Sequence, residues 1–249
     1  MKRPYDVAVI CYNEKFTIRR CLTTVQAFTD YERLIIVDDE STDGTTEVAE
    51  MFADVLVSSG AHNLGISRQL ALEASDQPVL LFVDADVEIV RRVDPVIEKV
   101  TRAYPCVRGK NWQLMANRFT KAHEWGVGFG LTAIDTKIAR SVGGFPPAEA
   151  GEDSAFCLRL KDGGFRCRQV GDKVYGIHYK SDYATMPSRK DWPCENFDEI
   201  VEAIADGDPG LISAAIGAVD PHRLQVVISQ AVCYGVMHQL RRRRSIIID

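Results

Sequence analysis

Val79-Leu80-Leu81-Phe82-Val83-Asp84-Ala85-Asp86 is an apolar run closed by two acids. Five apolar residues with neither helical spacing nor polar alternation predict a strand buried on both faces. Such strands belong to mostly parallel sheets, whose ligands bind beyond the carboxyl ends of the strands. Asp84 and Asp86 fall at that end. If the backbone stays extended through Ala85, both carboxylates point the same way and address one point. Two hard oxygen donors suit a Mg²⁺ or Mn²⁺ that also binds a substrate's phosphates. Asp206-Gly207-Asp208 repeats the spacing, but it follows no apolar run and leads into Pro209-Gly210, which reads as a loop.

On the N-terminal side, residues 5–11 and 34–37 predict two further buried strands, the second ending in Asp38-Asp39-Glu40. A helix between them carries Ile18, Cys21, Leu22, Val25 and Phe28 on one face. Ser41, Thr42 and Asp43 offer N-caps to a helix bearing Val48, Met51 and Phe52. Residues 55–57 predict a short strand, and Asn63-Leu64-Gly65 opens a helix through Leu70, Ala71 and Ala74. After the quoted stretch, Asp94-Pro95 places a cap and a first-turn proline before Val96, Ile97 and Val100. Strand and helix alternate throughout, the pattern of a parallel sheet covered on both faces.

Beyond residue 110 the pattern loosens. Residues 111–134 mix Trp112, Phe119, Trp125 and Phe129 with Gly126, Gly128 and Gly130. No apolar strand leads into this Gly-x-Gly-x-Gly, so it is no dinucleotide fingerprint, and His123-Glu124 lacks the second histidine of a zinc-protease helix. A helix over 136–142 should stop at Gly143-Gly144. Gly151-Glu152-Asp153 opens another helix, with Phe156, Leu158 and Leu160, and two strand-like pieces follow at 165–170 and 174–179. Residues 181–198 read as a mobile loop and 200–205, 211–219 and 224–240 as helices, the last running into four arginines, 241–244. Three regions are expected: an α/β half over 1–110, a less regular half of the same domain over 111–185, and a loop and helical tail over 186–249.

The whole chain is 249 residues, 46% hydrophobic, with net charge −5, which argues for a packed globular domain and against nucleic-acid binding. The apolar run of 7–11 is too short for a signal peptide, and no stretch is long enough to span a bilayer. Seven cysteines without a Cys-x-x-Cys pair fit reduced thiols in the cytosol, with no metal cluster built on them.

In this order the chain resembles the family 2 glycosyltransferases, enzymes with the nucleotide-sugar-binding GT-A fold. The pieces that carry the likeness are Tyr12-Asn13-Glu14, the run from Val37 through Asp39 to Thr45, Asn63-Leu64-Gly65 with Ser67-Arg68, Val83-Asp84-Ala85-Asp86, Val142-Gly143-Gly144-Phe145, and Gly151-Glu152-Asp153 with Leu158-Arg159. The resemblance implies that Tyr12, Asn13 and Glu14 line the nucleotide pocket and that Asp39 bonds the base or ribose. It implies that Arg68 binds the base or diphosphate, and that Asp86, with Asp84, holds Mn²⁺ or Mg²⁺ on the diphosphate. It makes Asp153, beside Glu152, the general base that deprotonates an acceptor hydroxyl, with inversion at the anomeric carbon. His178 stands where some relatives carry a further metal ligand, and Lys180 is placed to meet the diphosphate.

Set against these are plainer readings. Asp38 and Asp39 could cap the next helix, Arg68 could be an exposed helix residue, and acids such as Glu152 and Asp153 favour any helix start. Glu40 stands where glycine or asparagine is usual, Gln69 replaces a frequent asparagine, and the Gln-x-x-Arg-Trp of processive synthases is missing. The implied activity is therefore transfer of a single sugar from a UDP- or GDP-sugar to a hydroxyl acceptor in a saccharide, lipid or small molecule. Rival readings are a retaining transferase, a nucleotidylyltransferase, or an inactive nucleotide- or sugar-binding module. The apolar helix of 224–240 suggests packing on its own domain or dimerisation, and the four arginines a weak contact with anionic membrane surfaces.

Overall fold

A computed structural model describes residues 3–113, 118–119, 128–148 and 151–179. The chain divides into two compact units, and all described residues belong to the first, Met1–Gln113 with Asn117–Thr185. Trp125, Lys180, the loop of 181–198, the expected helices beyond 200 and the arginines of 241–244 lie outside the described residues.

The first four strands and three helices alternate in chain order: β1 (Tyr5–Cys11), α1 (Ile18–Phe28), β2 (Leu34–Asp38), α2 (Thr45–Glu50), β3 (Val55–Ser58), α3 (Leu64–Ala74) and β4 (Val79–Asp84). Then come β5 (Val87–Ile89), α4 (Asp94–Glu98), β6 (Cys106–Gln113), β7 (Arg118–Phe119), β8 (Leu131–Asp135), α5 (Thr136–Ser141), α6 (Glu152–Asp162) and β9 (Cys167–His178). One sheet runs β3-β2-β1-β4-β8-β6-β9-β5, with β7 against β6. Its first four strands are parallel; β8 joins β4 antiparallel, and β6 and β9 pair parallel.

The strands β1, β2 and β4 are apolar throughout because both faces are covered. Val79, Leu81 and Val83 pack on one side with Ile18, Cys21, Leu22 and Val25 of α1. Leu80 and Phe82 pack on the other with Ala71 and Leu72 of α3 and with Phe156, Cys157 and Leu160 of α6. On that second side Phe145 stacks on Phe156 at 4.4 Å between ring centroids, and Phe82 and Phe129 meet edge to face at 5.4 Å.

The sheet cannot be flat. β4 leads into β5 through the two residues Ala85 and Asp86, yet β8, β6 and β9 lie between them in the sheet. Four flat strand spacings would put the two strands about 19 Å apart, and three Cα–Cα steps reach only about 11 Å. The second half of the sheet therefore curls back over the carboxyl end of β4.

Several local expectations change. The chain turns at Ala85 and Asp86 instead of staying extended, because β5 must reverse onto β9. α2 begins at Thr45 behind a left-handed Gly44; Asp43 serves the turn, its Oδ1 accepting from the Thr45 N–H at 3.0 Å. Met51 falls past the end of that short helix and is exposed. Asp94 is the first residue of α4 and pairs with Arg92, leaving Val93 at the cap, while Pro95 sits in the first turn as its fixed φ predicts. The irregular stretch of 111–134 contains parts of β6, β7 and β8, and the two pieces at 165–179 are one strand with a bulge. Leu158 faces outward, Phe156, Cys157 and Leu160 having taken the buried face of α6. Gly143 and Gly144 do end α5, at φ 90° and 60°.

Candidate active site

The carboxyl ends of β1, β2 and β4 lie side by side in the parallel register Cys11–Asp38 and Ile10–Asp84. Below β2, Asp38 is spent inside the protein. One carboxylate oxygen accepts from the Ser41 hydroxyl at 2.5 Å, and the other from the Ser41 N–H at 3.1 Å and the Thr46 hydroxyl at 2.8 Å. The Cys11 thiol also leans on it, and burial, then Asp38, pushes that thiol well up. Asp39 uses one oxygen to bind the loop after β3. Its Oδ1 accepts from the Ser59 hydroxyl and from the N–H groups of Ala61 and His62, both at 3.0 Å.

The β1 end is folded onto this loop system. Asn13, at φ 54°, donates its N–H to the Ser41 hydroxyl and accepts from the Thr42 N–H. Glu14 is buried, its N–H bonded to the Thr45 hydroxyl and its carboxylate accepting from Thr17 at 2.6 Å. Tyr12 is half exposed, with its ring against the edge of His62 at 5.2 Å. His62 itself adopts φ 44°, donates its N–H to Asp39 and meets the Tyr12 ring, contacts no sequence pattern marks.

Beyond β4 the acids are arranged otherwise. Asp84, Asp86 and His178 bring one ligand atom each to within 4.8 Å of one another. His178 Nε2 lies 3.0 Å from the Asp86 carboxylate. Ligands at right angles around an octahedral ion with bonds near 2.1 Å are separated by about 3.0 Å, so this spacing and donor set fit Mn²⁺ or Mg²⁺. The register of β5 on β9, Val87 opposite His178, sets this approach, and the Tyr179 N–H donates to the Asp86 carbonyl at 2.9 Å.

Arg68 does not lie exposed on α3. It is buried, donating from Nε to Glu152 at 2.9 Å and from Nη2 to Asp84 at 3.0 Å. Burial works against its charge, but Asp84 and Glu152 outweigh that and raise its pKa above the ordinary value. Glu152 is buried at the first position of α6, and Asp153 next to it remains part-exposed, accepting from the Ser154 N–H at 2.6 Å. Arg108 on β6, which sequence reasoning passed over, is buried nearby. Desolvation pulls its pKa down, opposed chiefly by Asp153 and also by Asp84. Asp84, Asp86, Glu152 and Asp153 against Arg68 and Arg108 leave a formal excess of two negative charges, which suits a divalent cation.

Gly130 lets the backbone pass these acids closely. A Cβ at Gly130 would stand 3.0 Å from the Asn111 amide and 3.3 Å from Asp84 Oδ2, and one at Gly128 would stand 3.7 Å from Asp153 Oδ2. The approach is tight at Gly130 and an ordinary van der Waals distance at Gly128. A second cluster, Cys106, Cys157 and Cys167, is buried, with its sulfurs within 4.8 Å although no sequence spacing announced it. Burial, with the neighbouring thiols, pushes the Cys106 thiol well up.

This curled sheet, with acids at the strand ends, is the GT-A fold. A mannosyltransferase from Pyrobaculum calidifontis in complex with GDP-Man and Mn²⁺ superposes with a TM-score of 0.58 at 17% identity, over 96% of this chain and 87% of that one. TarS of S. aureus (fragment 1–349, in complex with UDP-GlcNAc) gives 0.60 at 16% identity, over 99% and 76%. Glucosyl-3-phosphoglycerate synthase from Mycobacterium tuberculosis, with Mn²⁺, UDP and phosphoglyceric acid, gives 0.56 at 18%, over 72% and 71%. Residues 6–140, more than half of the chain, match the Glycosyl transferase family 2 pattern, and the chain belongs to that family. Among characterised relatives, the lipopolysaccharide core biosynthesis glycosyltransferase LpsC of Rhizobium meliloti is 22% identical over 57% of this chain, and glycosyltransferase AglE of Haloferax volcanii 31% over 32%. The matched regions span 50% and 30% of those two proteins.

Proposed function

We propose that this protein is a metal-dependent, inverting glycosyltransferase that moves one sugar from a UDP- or GDP-sugar to a hydroxyl acceptor. The observation that carries this is the convergence of Asp84, Asp86 and His178, each with one ligand atom within 4.8 Å of the others, with Arg108 lying in the fields of both Asp84 and Asp153. Family membership supports it, as do neighbours whose complexes hold GDP-Man or UDP with Mn²⁺.

Asp84, Asp86 and His178 would hold Mn²⁺ or Mg²⁺, which supplies charge neutralisation for the departing nucleoside diphosphate. His178 must then present an unprotonated nitrogen, giving up its bond to Asp86. Tyr12, Asn13 and Glu14 would shape the nucleotide side, with the second oxygen of Asp39 turned to the base or ribose. Lys180 would meet the diphosphate. Asp153 would accept the acceptor's hydroxyl proton as the oxygen attacks the anomeric carbon from the face opposite the diphosphate. The bond from that carbon to the phosphate oxygen breaks with its electron pair on the diphosphate. Residues 1–110 would hold the donor and 111–185 the acceptor, while dimerisation through 224–240 and lipid contact through 241–244 are separate proposals, read out by sedimentation and by liposome flotation.

The decisive test is a thermal-shift panel of UDP, GDP, CDP and dTDP, each with and without Mn²⁺, followed by hydrolysis of the matching nucleotide sugars. One nucleotide should stabilise only with metal present, and its sugar conjugate should be turned over. Metal-independent binding without turnover would leave a binding module instead.

A further inference from the structure

Arg68 carries a buried charge, and burying a guanidinium is costly unless each N–H meets a partner. Two partners come from distant parts of the chain: Asp84 at the end of β4, 16 residues away, and Glu152 at the head of α6, 84 residues away. The third nitrogen, Nη1, is buried and has no hydrogen-bond partner among the described residues. The guanidinium carbon sits 5.5 Å from the Phe82 ring centroid and 5.3 Å from that of Phe129, which bound it with apolar surface. Arg68 thus joins one acid of the metal triad to the residue preceding Asp153.

We propose that Arg68 is a positioning residue that couples occupation of the Asp84–Asp86–His178 site to the first turn of α6. The proposal rests on the donor reading given above. A divalent cation draws on the charge of Asp84, which loosens its hold on Arg68 and strengthens the pairing of Arg68 with Glu152. The Arg68–Glu152 pair then fixes the head of α6, and Asp153 with it, when donor is in place. Such coupling is reciprocal, so an ordered α6 also favours the loaded site. Lysine keeps the charge, but its single nitrogen lacks the planar fork that reaches two carboxylates together.

Hydrogen exchange at Ala155, Phe156 and Cys157 reads this directly, since the Ala155 N–H bonds back to the Gly151 carbonyl at 3.0 Å and the others follow in the helix. In the wild type, Mn²⁺ with UDP or GDP, whichever the panel selects, should slow these amides by about tenfold relative to free protein. In Arg68→Lys the slowing should fall below about twofold while nucleotide affinity changes less than about tenfold. A merely structural role would speed exchange in the free protein and leave the ligand-induced ratio untouched. If Arg68→Lys does not fold, Glu152→Gln, which keeps an acceptor for Nε, must show the same loss of slowing. Equal slowing in wild type and variant, with nucleotide bound in both, overturns the proposal alone. Absence of nucleotide binding in the wild type overturns the donor reading and the coupling together.

Discussion

The carboxyl ends of β2 and β4 both finish in a pair of acids, and the protein uses the two pairs in opposite ways. At β2, Asp38 takes two hydroxyls and an N–H from Ser41 and Thr46, and Asp39 gives one oxygen to three donors of the loop around Ser59 to His62. These acids build the loops. At β4, Asp84 meets the guanidinium of Arg68, brought from α3, and Asp86 the imidazole of His178, brought from β9. Satisfied by loop donors, a strand-end acid is scaffolding; facing a guanidinium or an imidazole beside other acids, it belongs to the donor set proposed above for a cation.

That contrast can be broken by substitution. Asp86→Ala should remove Mn²⁺-dependent stabilisation by nucleoside diphosphate and lower turnover by about 10³-fold or more, with circular dichroism unchanged. A variant that turns over at near wild-type rate takes the metal site away from β4. Asp153→Asn keeps the shape and loses the base, so transfer should drop by about 10²-fold while calorimetry finds nucleotide affinity nearly unchanged. Asp39→Asn can still serve the loop through Oδ1 but turns an amide toward the nucleotide; affinity should weaken by about tenfold with little loss of stability. Asp38→Ala should do the reverse. Ser41 and Thr46 lose their acceptor, urea unfolding should show about 1–3 kcal/mol less stability, and the metal dependence of nucleotide binding should persist. If Asp38→Ala removed metal dependence instead, the division between the two strand ends would be false.

Much of this was legible from residue order, and the reason is physical. Buried parallel strands need apolar residues on both faces, so β1, β2 and β4 appear as unbroken runs, and the acids after them mark where the sheet stops being buried. Asn63-Leu64-Gly65 does open α3, where the Asn63 side-chain carbonyl accepts from the Ile66 N–H. The second half hid itself for equally definite reasons. β5 is three residues long, and Glu88 interrupts its apolar pattern. β6 carries Arg108 and Lys110, which pattern reading assigns to solvent although Arg108 is buried, within the electrostatic reach of Asp153 and Asp84. Arg68 misleads in the same way. Its burial depends on Glu152, far along the chain, and nothing near Arg68 in the sequence announces that partner.

The curl of the sheet also bears on the order in which the molecule comes together. Asp86 and His178 meet across 92 residues of chain, and closing a loop of that length costs about 4 kcal/mol in chain entropy beyond a fixed constant. The parallel strands β1 to β4 can assemble through short crossovers; β9 must arrive from far away before β5 has an edge to pair with. A nascent chain that has not yet made residue 178 therefore holds its two acids without their imidazole. At the proposed metal site, cation affinity would then mark completion of the last strand.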